Sequence, residues 1–182
     1  MMAQRNRIII ALFLTGVVLS CIMLLARQRQ YQKEEAYNQA QQEATTHDLQ
    51  SIMSYKNKYM GNASNNIGLF SNLPLSDLDR KYSQNPKTFM FEIDFQGDSN
   101  HIESVRLKKE IIYSAVSAFA LIDNLQTLRY HYTDITYTVN RADVEKQYGA
   151  LQSMLNESSW RSMQEKLKDS GYVENTFQKL IK

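Results

Sequence analysis

The stretch from Ile8 to Ala26 constrains the fold more than any other, because its nineteen residues carry no charge. As an α-helix rising about 1.5 Å per residue it reaches roughly 28 Å, close to the roughly 30 Å hydrocarbon core of a bilayer. Arg5 and Arg7 bound it on one side, Arg27 and Arg29 on the other. A helix satisfies its backbone hydrogen bonds internally, which is what lets so apolar a stretch cross lipid. The expectation is a transmembrane helix over residues 8–26, with the lipid bilayer as its partner.

Two other readings compete with this signal-anchor. A cleaved secretory signal needs a shorter apolar core and a small-x-small cleavage site, whereas this run continues for five residues beyond Cys21. A lipoprotein signal would end at Cys21, but Leu19 stands where a small residue is usual and Ile-Met-Leu-Leu follows. Orientation follows from flanking charge. Two arginines precede the span and Arg27, Arg29 and Lys33 follow it, so the count favours neither side. The short basic tail, residues 1–7, is expected to stay in the cytoplasm. Residues 27–182 are then extracytoplasmic, at the outer face of the cell membrane.

Beyond Ala26 the chain holds 182 − 26 = 156 residues, enough for one domain and a tether. Of 21 Lys and Arg, two precede the stretch and none lies in it, leaving 19 against 19 Asp and Glu. A body so balanced offers no electrostatic footprint for nucleic acid. The sole cysteine, Cys21, lies in the apolar stretch, so the body has neither a disulfide nor a thiol nucleophile.

Residues 27–50 hold seven glutamines and no Gly or Pro. They lack a heptad stripe, and the expectation is a helical stalk rather than a coiled coil. The domain is read as residues 51–182. Ser64 is placed to cap a helix carrying Ile67, Leu69, Phe70 and Leu73, stopped by Pro74. Residues 76–87 read as a surface loop. Phe89, Phe91, Ile93 and Phe95 alternate with Met90, Glu92, Asp94 and Gln96, the period of a half-buried strand. A turn at residues 97–100 leads to a returning strand at 102–107. Residues 109–124 form the central helix through Ile112, Ala115, Val116, Phe119, Leu121 and Ile122. Leu128, Tyr130 and Tyr132 mark a third strand, and Ile135, Tyr137 and Val139 a fourth. Asn140 opens a helix that Gly149 stops, and Ser159 opens a last helix ending at Gly171. The fold class is α+β: an N-terminal transmembrane helix and stalk, then a small antiparallel sheet of about four strands covered by helices.

Three segments in this order resemble an uncharacterised family of low-GC Gram-positive bacteria, the domain of unknown function 4825. They are residues 59–64 (YMGNAS) followed by Leu73-Pro74, residues 118–124 (AFALIDN), and residues 137–149 (YTVNRADVEKQYG). The resemblance covers roughly residues 51–169. It implies an extracytoplasmic domain behind one membrane helix, of accessory or sensory character. No catalytic residue comes with it.

The residues give little support to catalysis. His47, His101 and His131 have no zinc-motif spacing, and no phosphate loop or nucleophile elbow occurs. Glu92 and Asp94 share a strand face, which a hydrolase would need, but a solvated outer face opposite the three phenylalanines is the favoured explanation. No metal, cofactor or catalytic residue is expected. The candidate binding segment is Tyr59, Gly61, Asn62 and Ser64, where Gly61 permits positive φ, Asn and Ser offer donors and acceptors, and Tyr59 an aromatic surface. Turn and cap chemistry is the competing reading. Asp123 and Asn124 are a second candidate at the end of the central helix. The expected function is a membrane-anchored binding or sensing module whose partner is another membrane or cell-wall protein; the alternatives are an accessory subunit of a membrane complex and a cell-surface hydrolase.

Overall fold

The structure, a computed structural model, describes the backbone of residues 2–182 and the side chains of residues 13–182. It divides into two compact units, Met1–Gln39 and Ala40–Lys182. Helix α1 (Met2–Gln41) makes up the described part of the first. Among the described residues no helix is long and apolar enough to cross a membrane, which overturns the expected transmembrane helix. Of the expected span, residues 8–26, the side chains of residues 13–26 are described. The side chains of residues 8–12 lie outside the described residues. From Arg27 onward the helix is polar, with a Gln30–Glu34 hydrogen bond of 3.0 Å one turn apart.

The second unit is α+β. Its short first helix, α2 (Leu49–Ile52), is capped by Asp48, whose carboxylate accepts from the Gln50 N–H. Helix α3 (Ala63–Asn72) follows, then strands β1 (Arg80–Asn85) and β2 (Met90–Phe95). A single 3-10 turn at Ser99–His101 leads into α4 (Ser104–Leu121). Strands β3 (Thr127–His131) and β4 (Thr136–Asn140) come next, then α5 (Arg141–Tyr148), α6 (Glu157–Lys166) and α7 (Ser170–Leu180).

The sheet is mixed, in the order β1-β2-β3-β4, and not wholly antiparallel as expected. Strand β2 pairs antiparallel with β1 and parallel with β3, Ile93 standing opposite Tyr82 and Tyr130. The parallel pair follows from the crossover. An 18-residue helix carries the chain about 27 Å back along the sheet before β3 starts, which is how parallel neighbours are joined.

Two more expectations are corrected. Residues 102–107 do not return as a strand, because the Glu103 carboxylate accepts from the N–H groups of Val105 and Arg106 and so opens α4 at Ser104. Residues 80–85, read as loop, form edge strand β1. Tyr82 is its only large apolar residue, and an edge strand paired through its backbone does not need more.

The core lies between the inner sheet face and the helices. Phe91, Ile93, Phe95, Leu128, Tyr130 and Val139 supply the sheet side. Residues 110–122 are buried without interruption, so α4 is enclosed on all sides rather than along one stripe. The outer face carries Glu92, Asp94, Arg129 and Thr138, with Glu92 and Arg129 ion-paired at 3.1 Å. The helix expected from Ser159 to Gly171 is α6, capped by Asn156 instead and ending at Lys166, and a further helix, α7, capped by Asp169, follows it. Beyond α7, Ile181 bridges to Val139 and covers the free edge of β4.

Candidate functional site

The two sequence-predicted segments meet. Asn57 lies beside Ile122 in a parallel bridge, its N–H donating to Leu121 O at 2.8 Å and its O accepting from the Asp123 N–H at 3.1 Å. The Met60 N–H then donates to Asn124 Oδ1 at 2.6 Å. Helix α3 is capped by Asn62, which accepts from the Asn65 N–H at 3.2 Å, rather than by Ser64, which stands exposed in the first turn. Gly61 does not take up positive φ. Its carbonyl accepts from Gln84 Nε2, and Asp123 accepts from Gln152 Nε2 at 2.9 Å. The polar atoms of this corner therefore tie the 57–62 loop to the end of α4 and to β1. Tyr59, well exposed, carries the Lys58 ammonium 5.5 Å from its ring centre.

A cavity of about 240 Å³ opens at the end of β2. Leu78, Asp79, Phe95, Gln96, Gly97, Asp98, His101, Ile102 and Tyr132 line it. Its residues are graded by depth. Asp79, Gln96 and His101 are exposed at the mouth, Leu78, Asp98 and Ile102 are half-buried, and Phe95 and Tyr132 are buried. The two deep rings stack at 4.4 Å between centres and 7° between planes. The Tyr132 hydroxyl, closed off from solvent, has no hydrogen-bond partner. Burial pushes its pKa up, so it remains a neutral phenol. A buried hydroxyl without a partner forfeits about 1–3 kcal/mol.

A second polar cluster lies inside the core. The His47 Nε2 atom faces the Asn72 carbonyl at 2.7 Å, and a carbonyl only accepts, so Nε2 carries the proton. Nδ1 then accepts from the Tyr113 hydroxyl at 2.8 Å, and that hydroxyl accepts from Trp160 Nε1 at 3.2 Å. Burial holds the His47 pKa below its ordinary value. Glu110, fully buried, accepts from the Ala44 N–H through Oε1 at 3.1 Å, while Oε2 has no partner. Burial pushes its pKa up to about 8. Neither group borders the cavity at the end of β2, so the strongly perturbed carboxyl belongs to packing.

A scan against family models matched the domain of unknown function DUF4825 at residues 52–147, more than half of the chain. The chain belongs to the DUF4825 family. No curated protein and no solved structure matched it. The DUF4825 match contains the corner at residues 57–66, both candidate residues of the α4 end and every residue lining the cavity. It leaves out Gln164, whose Nε2 holds the Ala44 and His47 carbonyls, and helices α6 and α7.

The sequence reading placed Tyr132 in a strand and weighed His101 only as a zinc ligand, so it did not assemble the cavity. One signal was available: Phe95, Asp98 and Tyr132 flank the two strand ends that a parallel pair brings together. Among the described residues no three His, Cys, Asp or Glu side chains group closely enough to hold a metal. Glu92 is engaged by Arg129, and Asp94 lies opposite His131 in register.

Proposed function

We propose that the DUF4825 domain of this chain is a non-catalytic binding module that takes a small ligand in the cavity at the end of β2. The apolar and aromatic walls of the cavity, with a few polar groups set among them, carry the reading. Ligand sites combine mostly apolar walls with a few placed polar groups, and Leu78, Phe95 and Ile102 with Tyr132, Asp79 and Asp98 have that make-up. At about 240 Å³ the space falls below the roughly 300–1,000 Å³ of drug-sized sites, so the ligand is a single ring or a short chain. The engagement of Glu92 by Arg129 weighs against the hydrolase alternative, since that carboxylate is already committed to an ion pair on an open sheet face.

Ligand-observed NMR with a set of single-ring compounds tests this on the full chain. Saturable binding to the native protein is expected, lost in Ile102→Trp, whose larger ring fills the cavity. Binding that survives Ile102→Trp in a folded protein, or the absence of any binder, overturns it.

A further inference from the structure

Residues 42–48, which carry the chain from α1 into the domain, form turns that side chains hold down. The Gln42 amide and the Ser76 hydroxyl bond each other at 2.7 and 2.9 Å. The Ala44 N–H donates to Glu110 Oε1, and Gln164 Nε2 donates to the Ala44 and His47 carbonyls at 2.8 and 2.9 Å. The Glu43 carboxylate lies 3.1 Å from Lys109 Nζ and 3.7 Å from Arg106 Nε. Two α4 side chains that meet this segment each bury a polar atom with no hydrogen bond, Glu110 through Oε2 and Arg106 through Nε. Four positions apart, they share a helix face on which an acid and a base can pair. No ion pair joins them, because Arg106 is taken up by Glu43 and, at 3.5 Å, by Asp77.

We propose that residues 42–48 are a proton-operated clasp, shut while Glu110 is neutral and released when Glu110 ionises and takes Arg106 as its partner. Neutral Glu110 needs no counter-charge, and its Oε1 serves Ala44. A buried carboxylate is costly without a paired cation. Both nearby cations, Arg106 and Lys109, are occupied by Glu43, whose own charge repels that of Glu110. The other groups around it supply no cation. Tyr113 on α4 stays a neutral phenol, burial keeps His47 neutral, and Asp48 adds a further negative charge. Lys108 is held by Glu174 of α7 at 2.6 Å, and Gln164 of α6 is uncharged. Lifting the segment removes Glu43, frees Arg106 to pair with Glu110 one turn away, and admits water. The same charges thus have two arrangements, and the proton selects between them. The shut form keeps its proton up to about pH 8, and the released form gives it up near the ordinary 4.5. Release is therefore favoured as pH rises, by about tenfold per pH unit between those values.

Hydrogen exchange of the full chain, followed from about pH 5.5 to 8.5 by mass spectrometry, tests the clasp through peptides covering residues 42–48 and residues 111–121 of α4. Protection of residues 42–48, corrected for the intrinsic exchange rate, is expected to fall by up to about tenfold per pH unit, while residues 111–121 stay protected. Glu110→Gln has no proton to lose in this range and should keep the protection of residues 42–48 constant. Arg106→Gln denies the released carboxylate its partner and should move the fall to higher pH. Protection of residues 42–48 that ignores pH in the native chain, or that still falls in Glu110→Gln, overturns the clasp. Loss of protection in both peptides together also overturns it, because the whole domain then unfolds instead of one segment lifting. If Arg106→Gln releases at the native pH or below it, the exchange of partners is refuted.

Discussion

Replacing Glu110 with Gln should make the protein more stable at neutral and alkaline pH, and by an amount that grows with pH. Glu110 is fully enclosed, with only the Ala44 N–H to receive. Its carboxyl is ordinarily half-ionised at 4.5 and is pushed up to about 8 by burial. The folded state therefore binds a proton that the unfolded chain has already released. The stability tied to that proton is complete below pH 4.5 and is lost as pH rises toward 8. Each pH unit in this window costs about 1.36 kcal/mol, so the loss is about 3 kcal/mol at pH 7 and roughly 4 kcal/mol at pH 8. Gln keeps the oxygen that Ala44 uses and carries donor hydrogens where protonated Glu110 carries one, so the two proteins should match near pH 4.5. Denaturant unfolding across pH 4.5 to 9 measures the difference. Trp160, the single tryptophan, reports through its contact with Tyr113. A gap between Glu110→Gln and the native chain that stays the same from pH 5 to pH 8 would refute the argument.

His47→Ala should cost about 2–4 kcal/mol, since it orphans the Asn72 carbonyl and the Tyr113 hydroxyl and leaves a cavity. Because burial lowers the His47 pKa, native stability attributable to it is complete above about pH 6.5 and falls as pH drops below; His47→Ala should flatten that acid limb in the same titration. Tyr132→Phe should leave stability unchanged or raise it by up to about 1 kcal/mol, because the hydroxyl it removes has no partner. A thermal melt showing a clear loss would mean that the hydroxyl is satisfied. Gly149→Ala should cost about 1–2 kcal/mol by chemical denaturation, since φ 78° and ψ −149° at the end of α5 suit glycine almost alone.

Much of the domain is legible in local residue patterns. The alternation through Phe91, Ile93 and Phe95 marked β2, the apolar run from Ile111 to Ile122 marked α4, and Asn140 and Gly149 bracketed α5. Strand β1 was not legible, because Arg-Lys-Tyr-Ser-Gln-Asn carries no alternation of apolar side chains. The Tyr59 and Asn124 segments could each be singled out from their residue types, but not their meeting through the Met60 N–H, which bridges 64 positions of chain.

By itself the sequence determined the α+β class, the DUF4825 membership and the polarity of the faces of β2, β3 and β4, because periodicity and turn chemistry act over a few neighbouring residues. The tertiary structure decided the parallel β2–β3 pair, the enclosure of Glu110 and His47 and the cavity joining Leu78, Asp98 and Tyr132. These depend on which distant segments α4 brings together, and burial by distant neighbours, not residue type, is what shifts a carboxyl or isolates a hydroxyl.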